Sequence, residues 1–241
     1  MIRRLLILSI VYVAIRAMGM PMANCQNEQC PEGFHKFTSR SNGPWCVKIF
    51  LGNMTWWEAE RECRCTTKGA HLSGIENSEE MRWVEQTTQS LIEDTVKNGA
   101  IWIGAYRRKE CPSGASSTNS ICQGETLFQF TDQNTCKNTI FENWANNQPS
   151  NNAGDDCGAI LVSTDESGSN ADASGKTVAK NCLETTASSA IMSAVGYICG
   201  VKPAPGGGNY GGGYGNGGYG GSGYGNGEVI MIGASRPEKK H

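Results

Sequence analysis

The sequence predicts an α+β domain that disulfide bonds hold together. Two helical segments come first and a run of short strands with long polar loops follows, an order typical of that fold class. The chain has 11 cysteines in 241 residues. Behind a secretory leader, such a set indicates a disulfide framework rather than a metal cluster. The length allows one large domain or two small ones, at roughly 100–200 residues each.

The first residues have the pattern of a secretory signal peptide, which we assign to residues 1–23. An Arg-Arg pair at 3–4 precedes an apolar run over 5–15, and small residues follow. The run is too short to span a bilayer, which needs about 18 residues or more. We therefore expect a secreted, extracellular protein that does not span a membrane. An uncleaved signal anchor is the alternative.

The composition changes at the end of the predicted domain, residues 24–202. Residues 206–227 consist of 14 Gly, 4 Tyr, 3 Asn and 1 Ser. Glycine loses more conformational freedom on ordering than any other residue, and this segment has little apolar surface to bury in return. We predict that residues 203–241 form a disordered, Gly/Tyr-rich tail.

Charge and composition argue against two classes of protein. The formal net charge is -2 and only three histidines are present, so neither a basic nucleic-acid surface nor a histidine-based zinc or catalytic site has its usual residues. No nucleophile, base and orienting residue form a recognisable set. We predict no catalytic residues, no enzymatic activity and no nucleic-acid partner.

Local sequence signals mark two helices. Thr55 and Glu58 have the spacing of a capping box, so the first helix is predicted to begin there. Its buried face would carry Trp56, Ala59 and Cys63.

Asn77 is predicted to begin the second helix, which would end at Gly99. The predicted buried stripe of this helix is Met81, Val84, Leu91 and Ile92. The predicted strands are Trp45–Leu51, Ala100–Ala105, Leu127–Phe130, Gly158–Val162 and Val195–Val201.

The order of these segments resembles the C-type lectin-like domain family. Residues 56–84 resemble its helix, loop, helix opening, and the Trp-Ile-Gly sequence at 102–104 looks like its core strand. Residues 148–161 are similar to its long-loop segment, and 195–199 to its last strand. The resemblance covers about residues 30–202 and is nearest to secreted, long-form invertebrate members. It implies two helices and small antiparallel sheets with a long loop, stapled by disulfides.

The resemblance also implies disulfide pairings. Four pairs follow by position: Cys30–Cys46, Cys63–Cys199, Cys111–Cys122 and Cys157–Cys182. Among the remaining three cysteines we predict a bond between Cys65 and Cys136, which leaves Cys25 unpaired. A disulfide-linked dimer through the odd cysteine is left open.

For the family, the resemblance implies sugar binding through a Ca²⁺ ion. The protein oxygens would come from a Glu-Pro-Asn or Gln-Pro-Asp triplet, a later acid, and a Trp-Asn-Asp strand. This chain has Gln-Pro-Ser at 148–150, Asp155 as the later acid, and Thr-Val-Ala at 177–179. Val178 and Ala179 have no side-chain oxygen, and calcium needs six to eight oxygens. We therefore predict a degenerate site with no bound metal, and leave weak calcium binding open.

The candidate ligand-binding residues all lie in the predicted long loop: Gln148, Ser150, Asn151, Asp155 and Asp156. Asp156 and the polar insert at 165–172 are alternative sources of calcium ligands. The insert lacks the glycine and the final glutamate of a calcium loop, so we interpret it as a solvated loop.

Several other residues have a functional and a structural interpretation. Asn53 begins a glycosylation sequon, and Asn134 begins a weaker one that ends in cysteine. We predict a structural role for His71. Five tryptophans could form a sugar-stacking platform, although we expect most of them to pack in the core: Trp56, Trp57, Trp83, Trp102 and Trp144.

These observations favour a secreted carbohydrate-binding module. It would recognise glycans or glycoproteins without calcium, with innate defence as one setting. The alternative is a structural extracellular-matrix protein, in which a lectin-like head binds protein and the Gly/Tyr tail embeds in the matrix.

Overall fold

The computed structural model describes three ranges of the chain: residues 28–94, 96–136 and 142–205. The predicted signal peptide, Cys25 and the tail from residue 206 onward lie outside them. Within the described ranges, no helix has the length and apolar character needed to cross a membrane.

Eight strands form one mixed sheet. They are β1 His35–Phe37, β2 Trp45–Leu51, β3 His71–Leu72, β4 Asn98–Arg107, β5 Phe128–Phe130, β6 Cys157–Ser163, β7 Thr177–Lys180 and β8 Ala194–Val201. The sheet path is β1-β2-β8-β4-β6-β7, with β3 paired to β8 and β5 to β4. Only the β4–β8 pairing of the described strands is parallel.

In the described ranges, three α-helices accompany the sheet: α1 Trp56–Thr66, α2 Ser78–Ile92 and α3 Ser169–Ala173. The predicted α+β class is confirmed. Strand β2 has the predicted bounds, and the other four predicted strands differ by one or two residues at their ends.

Helix α1 begins as predicted, with a reciprocal capping box. The backbone nitrogen of Glu58 donates to Thr55 Oγ1 at 3.3 Å, and the backbone nitrogen of Thr55 donates to Glu58 Oε2 at 2.9 Å. Trp56, Ala59 and Cys63 are buried on one face of the helix. Because Cys63 is bonded to Cys199, this face is fixed against β8.

Helix α2 differs from the prediction in two respects. Asn77 caps it by accepting from the backbone nitrogen of Glu80 at 3.0 Å, as expected. Leu91, however, is 43% exposed, and Thr88 is buried in the stripe instead, at a spacing of four from both Val84 and Ile92. Gly99 does not end the helix: it lies in β4, where any Cβ would collide with the side chain of Val195.

All four disulfides that the resemblance implied are present. The predicted bond between Cys65 and Cys136 is wrong: both are exposed, and neither is bonded to another cysteine in the described ranges. Cys65 is two residues after the buried Cys63, so it lies on the outer side of α1. Cys136 lies instead beside Asn42, whose Nδ2 is 2.7 Å from its sulfur.

Successive residues of β4 pack into two apolar clusters. Trp102 belongs to a cluster with Trp56, whereas Ile101 and Ile103 belong to a cluster with Val84 of α2. The alternation follows from the two-residue period of a strand. The central strand is therefore buried on both faces and gives a rigid base to the loops at its ends.

Candidate ligand-binding loop

The predicted site residues lie together on residues 145–156, here called the long loop. Its two ends are fixed near β7. At the start, the backbone nitrogen of Ala145 donates to the carbonyl of Thr177 at 2.9 Å. At the end, Cys157 is bonded to Cys182, just beyond β7. A hydrogen bond and a disulfide therefore hold the two ends of the long loop at β7.

Gln148 fastens the middle of the long loop. Its side-chain oxygen accepts two hydrogen bonds of 2.8 Å, from the backbone nitrogens of Ser150 and Ala179. The first bond shapes the turn, and the second joins the turn to β7. The amide oxygen of Gln148 is thus used within the chain.

Arg107, at the end of β4, is a positively charged residue that contacts the long loop. Its side chain is 4% exposed, and Nη2 donates to the carbonyl of Ser150 at 2.6 Å and to that of Asp155 at 3.3 Å. Its Nε lies 3.0 Å from a carboxylate oxygen of Asp156, and the guanidinium lies 5.1 Å from the centre of the Phe128 ring. Burial lowers the pKa of Arg107, which the charges of Asp156 and Asp155 oppose.

The segment closed by Cys111–Cys122 supports the outer side of the long loop. The backbone nitrogen of Gly154 donates to Ser113 Oγ at 2.9 Å, and Asn151 Nδ2 donates to the carbonyl of Ala115 at 3.1 Å. A third bond, 2.7 Å long, runs from the nitrogen of Gly114 to the carbonyl of Asn151. These bonds fix Asn151 in position.

The outer edge of the long loop carries polar side chains. Asn151 and Asn152 are exposed, and the Asp156 side chain is 41% exposed. Asn152 Nδ2 donates to Asp155 Oδ2 at 3.3 Å. Of the five predicted site residues, Asn151, Asp155 and Asp156 therefore form this edge. Gln148 and Ser150 take part in bonds within the loop and to β7 and β4.

Comparison with known proteins decides the family. A family model described as C-type lectin domain-containing protein 141/158 matches residues 35–202. This chain belongs to the C-type lectin domain family. Helices α1 and α2, the mixed sheet and the four disulfides form its C-type lectin-like fold.

Two curated relatives illustrate the range of similar proteins. The chain is 35% identical over 126 residues to one subunit of the snaclec coagulation factor IX/factor X-binding protein of Gloydius halys, a match that covers 48% of this chain and 76% of that one. It is 33% identical over 131 residues to the human versican core protein, a match that covers 54% of this chain but only 3% of versican. The second match therefore concerns a single small part of a large protein.

Solved structures with similar folds include CEL-IV and a calcium-independent type II antifreeze protein. CEL-IV has a TM-score of 0.48 at 18% identity, with 73% of this chain and 96% of CEL-IV covered. The antifreeze protein has a TM-score of 0.44 at 19% identity, with the same 73% and 96% coverage.

The residues present in this C-type lectin domain do not fit the calcium site that the family resemblance implies. Val178 and Ala179 lie in β7, each 2% exposed, and offer no side-chain oxygen. The oxygen of Gln148 already accepts two N–H groups, and Ser150 Oγ accepts from the nitrogen of Asn152 at 3.2 Å. The guanidinium of Arg107 carries a positive charge that would repel a calcium ion bound beside it.

The polar insert does not supply the missing ligands either. Residues from Ser169 form helix α3, and Asp165 Oδ2 accepts from Asn170 Nδ2 at 3.0 Å and from Asn98 Nδ2 at 3.2 Å. Among the described residues, no group of three His, Cys, Asp or Glu side chains could hold a metal ion.

The two sequon asparagines differ in exposure. Asn53 is exposed, but its Nδ2 donates to the carbonyls of Thr185 and Ala194, each at 3.1 Å. A glycan on this nitrogen would replace at least one of these bonds. Asn134 is 1% exposed, so its amide is out of reach of a glycosylating enzyme in the folded protein.

The tryptophans divide as the sequence suggested, with one clear exception. Trp56 and Trp102 are fully buried, and Trp83 and Trp144 are half-buried. Trp57 is 54% exposed and presents an indole ring to solvent. His71 has the predicted structural role, because its Nδ1 lies 2.9 Å from Glu60 Oε1.

Sequence reasoning missed Arg107. It is the last residue of a core strand and precedes a second arginine, Arg108, and nothing in that dipeptide distinguishes the two. Which one turns inward depends on the irregular β4–β6 register between Trp102 and Tyr106. Only the tertiary pairing carries that information.

Proposed function

We propose that this protein is a secreted recognition module that binds glycans or glycoproteins without calcium, at the outer edge of the long loop. The observation that carries the proposal is the double hydrogen bond on the Gln148 side-chain oxygen. It means that the long loop is shaped by the chain's own N–H groups. A ligand would then bind the preformed polar edge of the long loop directly and not through a bound ion.

The chemistry of that edge suits a sugar. Amide and carboxylate groups of Asn151, Asn152 and Asp155 can donate to and accept from hydroxyls in fixed directions. Because Asn151 and Asp155 are held by bonds to Ala115 and Asn152, less side-chain freedom is lost on binding.

Secretion and the absence of catalysis are part of the same proposal. The leader-like start of the chain and the four disulfides both suit an oxidising compartment. We assign the protein a binding role and no reaction. The matrix alternative depends on the tail, which lies outside the described residues, so no contact favours it over recognition.

Glycan-array binding with calcium and with chelator tests the proposal. We expect the same glycans to be bound in both conditions, and calorimetry to detect no tight calcium binding. Asn151→Ala and Asp155→Ala should weaken glycan binding without unfolding the domain. Asp172→Ala, which removes an exposed acid on α3, is the matched control.

Two results would reject the proposal: glycan binding that chelator abolishes, or equal binding by the loop variants and the control. Restoring family-like ligands with Val178→Asn and Ala179→Asp is a poor test here. Both positions are buried in β7, so the new polar groups would destabilise the core.

A further inference from the structure

One of the four disulfides in the described ranges joins no two elements of the fold. Cys111 and Cys122 both lie in the connection between β4 and β5, only 11 positions apart. Opening this bond therefore separates no strand or α-helix of the described domain from the rest. The other three attach distinct parts to the sheet: Cys63–Cys199 joins α1 to β8, Cys157–Cys182 joins β6 to the turn after β7, and Cys30–Cys46 joins the first described residues to β2.

The Cys111–Cys122 bond also lies outside the two apolar clusters. The cysteines of the other three disulfides belong to the cluster of Trp56 or pack against it, and this includes the half-buried Cys30. Neither Cys111 nor Cys122 is part of that cluster or of the cluster of Val84. Cys122 is only half-buried, and eight of the ten residues between the two cysteines are exposed. A thiol in solution therefore has access to the sulfur of Cys122, as thiol–disulfide exchange requires.

The segment that this bond closes, residues 111–122, is attached to the long loop. Three hydrogen bonds of 2.7–3.1 Å join residues 113–115 to Asn151 and Gly154. Residues 113–115 begin two positions after Cys111, so the disulfide limits how far they move. A disulfide removes conformational freedom from the chain that it closes, and the segment regains this freedom when the bond opens.

We propose that the Cys111–Cys122 disulfide is a redox switch for ligand binding at the long loop. With the bond formed, the closed segment holds Asn151 in its binding position. With the bond reduced, the segment and the outer edge of the long loop gain freedom, and binding weakens because ordering them then opposes association. The domain stays folded in both states, because its other three disulfides and both apolar clusters are unchanged. The inference rests on the proposed function in taking Asn151 as a ligand-binding residue.

The reductant is a dithiol, either a small molecule or a protein of the thioredoxin type. One thiolate of the dithiol attacks the sulfur of Cys122 and forms a mixed disulfide, while Cys111 leaves as a thiolate and takes up a proton. The second thiol of the dithiol, once deprotonated, displaces Cys122, which is protonated in turn. Two electrons and two protons thus pass from the dithiol to the protein, and the dithiol becomes a disulfide.

The first test titrates the full-length protein with dithiothreitol under native conditions. Cys65 and Cys136, the exposed free thiols, are blocked beforehand by alkylation. Thiols that appear later are labelled with a second reagent and located by peptide mass spectrometry. We expect Cys111 and Cys122 to be labelled at dithiothreitol concentrations about ten-fold lower than any other pair. Release of another disulfide first, or of all four together, would overturn the proposal.

Amide exchange and glycan binding then measure the effect of reduction. Exchange over 150–154 should accelerate, exchange in β8 should stay the same, and the affinity for a glycan found on the array should fall about ten-fold. A variant with Cys111→Ser and Cys122→Ser should behave as the reduced protein and show no response to dithiothreitol. Unchanged exchange over 150–154, or loss of protection in β8 at the same dithiothreitol concentration, would contradict the switch.

Two serines of the closed segment form a matched pair that tests positioning. Ser113→Ala removes the acceptor of the Gly154 nitrogen and should weaken glycan binding about five-fold. Ser116→Ala, at an exposed residue, should bind as the unchanged protein does. Equal affinities of the two variants would show that the segment does not position the long loop. Exchange needs no glycan, so if no glycan binds and reduction still accelerates exchange over 150–154, only the proposed function is rejected.

Discussion

The backbone nitrogen of Ala179 donates a 2.8 Å hydrogen bond to the side-chain oxygen of Gln148, which joins the long loop to β7. Ala179 lies where the resembled family places a carboxylate on calcium. Here the backbone of that residue, rather than its side chain, holds the loop. Together with Arg107 on the carbonyls of Ser150 and Asp155, this bond holds the long loop in place with groups of the chain itself.

Arg107→Met should loosen the long loop. The variant leaves the partly buried carbonyl of Ser150 without its 2.6 Å partner, and an unsatisfied buried acceptor costs about 1–3 kcal/mol. We expect the free energy of urea unfolding to fall by about 2 kcal/mol, and amide exchange over 148–156 to accelerate. Lys109→Met, at an exposed neighbour, is the control. Unchanged exchange in the Arg107 variant would contradict the assigned role.

The adjacent tryptophans of α1 should differ sharply in their effect on stability. Trp56 is 1% exposed, and its Nε1 donates to the carbonyl of Ile103 at 2.8 Å. Trp56→Ala should therefore lower the free energy of unfolding by about 3–5 kcal/mol. Trp57→Ala, at a 54% exposed position, should cost about 1 kcal/mol or less. Similar losses in the two variants, measured by urea unfolding, would show that Trp57 is buried too.

Glu60 should contribute to acid unfolding. Burial of its carboxylate acts to raise its pKa, but hydrogen bonds from His71 and Leu72 and the charge of Arg64 outweigh this, so the pKa lies below the ordinary 4.5. A lowered carboxyl pKa gives stability that is complete above the unfolded value and is lost as pH falls through the folded value. Urea unfolding between about pH 5 and pH 3 should show this loss in the unchanged protein.

Glu60→Gln removes the titrating group and keeps its shape. We expect this variant to be less stable at neutral pH and to lose less stability on acidification. Glu62→Gln, on the same helix, is the control. Parallel pH profiles for all three proteins would rule out a contribution from Glu60.

Cys65 and Cys136 should react as free thiols in the folded protein. Both are exposed and unbonded to another cysteine within the described ranges. Alkylation without reductant, followed by peptide mass spectrometry, should label both and leave the eight disulfide-bonded cysteines unlabelled. A peptide in which either is bonded to Cys25, in the same or a second chain, would contradict this expectation.

Features with local causes could be predicted from the sequence. Thr55 and Asn77 cap their helices with groups three residues away, so the helix starts are encoded in short segments. Strand β2 is a seven-residue apolar run interrupted only by Lys48, and its predicted bounds match the observed ones. The four family disulfides followed from resemblance, because the positions of those cysteines match a known framework.

Features that depend on tertiary pairing could not be predicted. The inward turn of Arg107 depends on an irregular register, and the separation of Cys65 from Cys136 depends on where the segment after β5 lies. Leu91 is apolar yet exposed, whereas the polar Thr88 is buried because its hydroxyl donates to the carbonyl of Val84 at 2.7 Å. For the long loop, the sequence identified the polar residues but not which of them bind one another.

Gln29 and Ala204 exchange both backbone hydrogen bonds, at 2.9 and 3.0 Å. The chain therefore enters and leaves the described domain at one place, beside Cys30–Cys46 and the end of β8. The long loop adjoins β7, at the opposite edge of the sheet path. A bead, chip or cell surface attached to the segment before Gln29 or after Ala204 is therefore attached to the same side of the domain. Immobilisation through residues 24–27 or 206–241 should present the long loop in the same orientation.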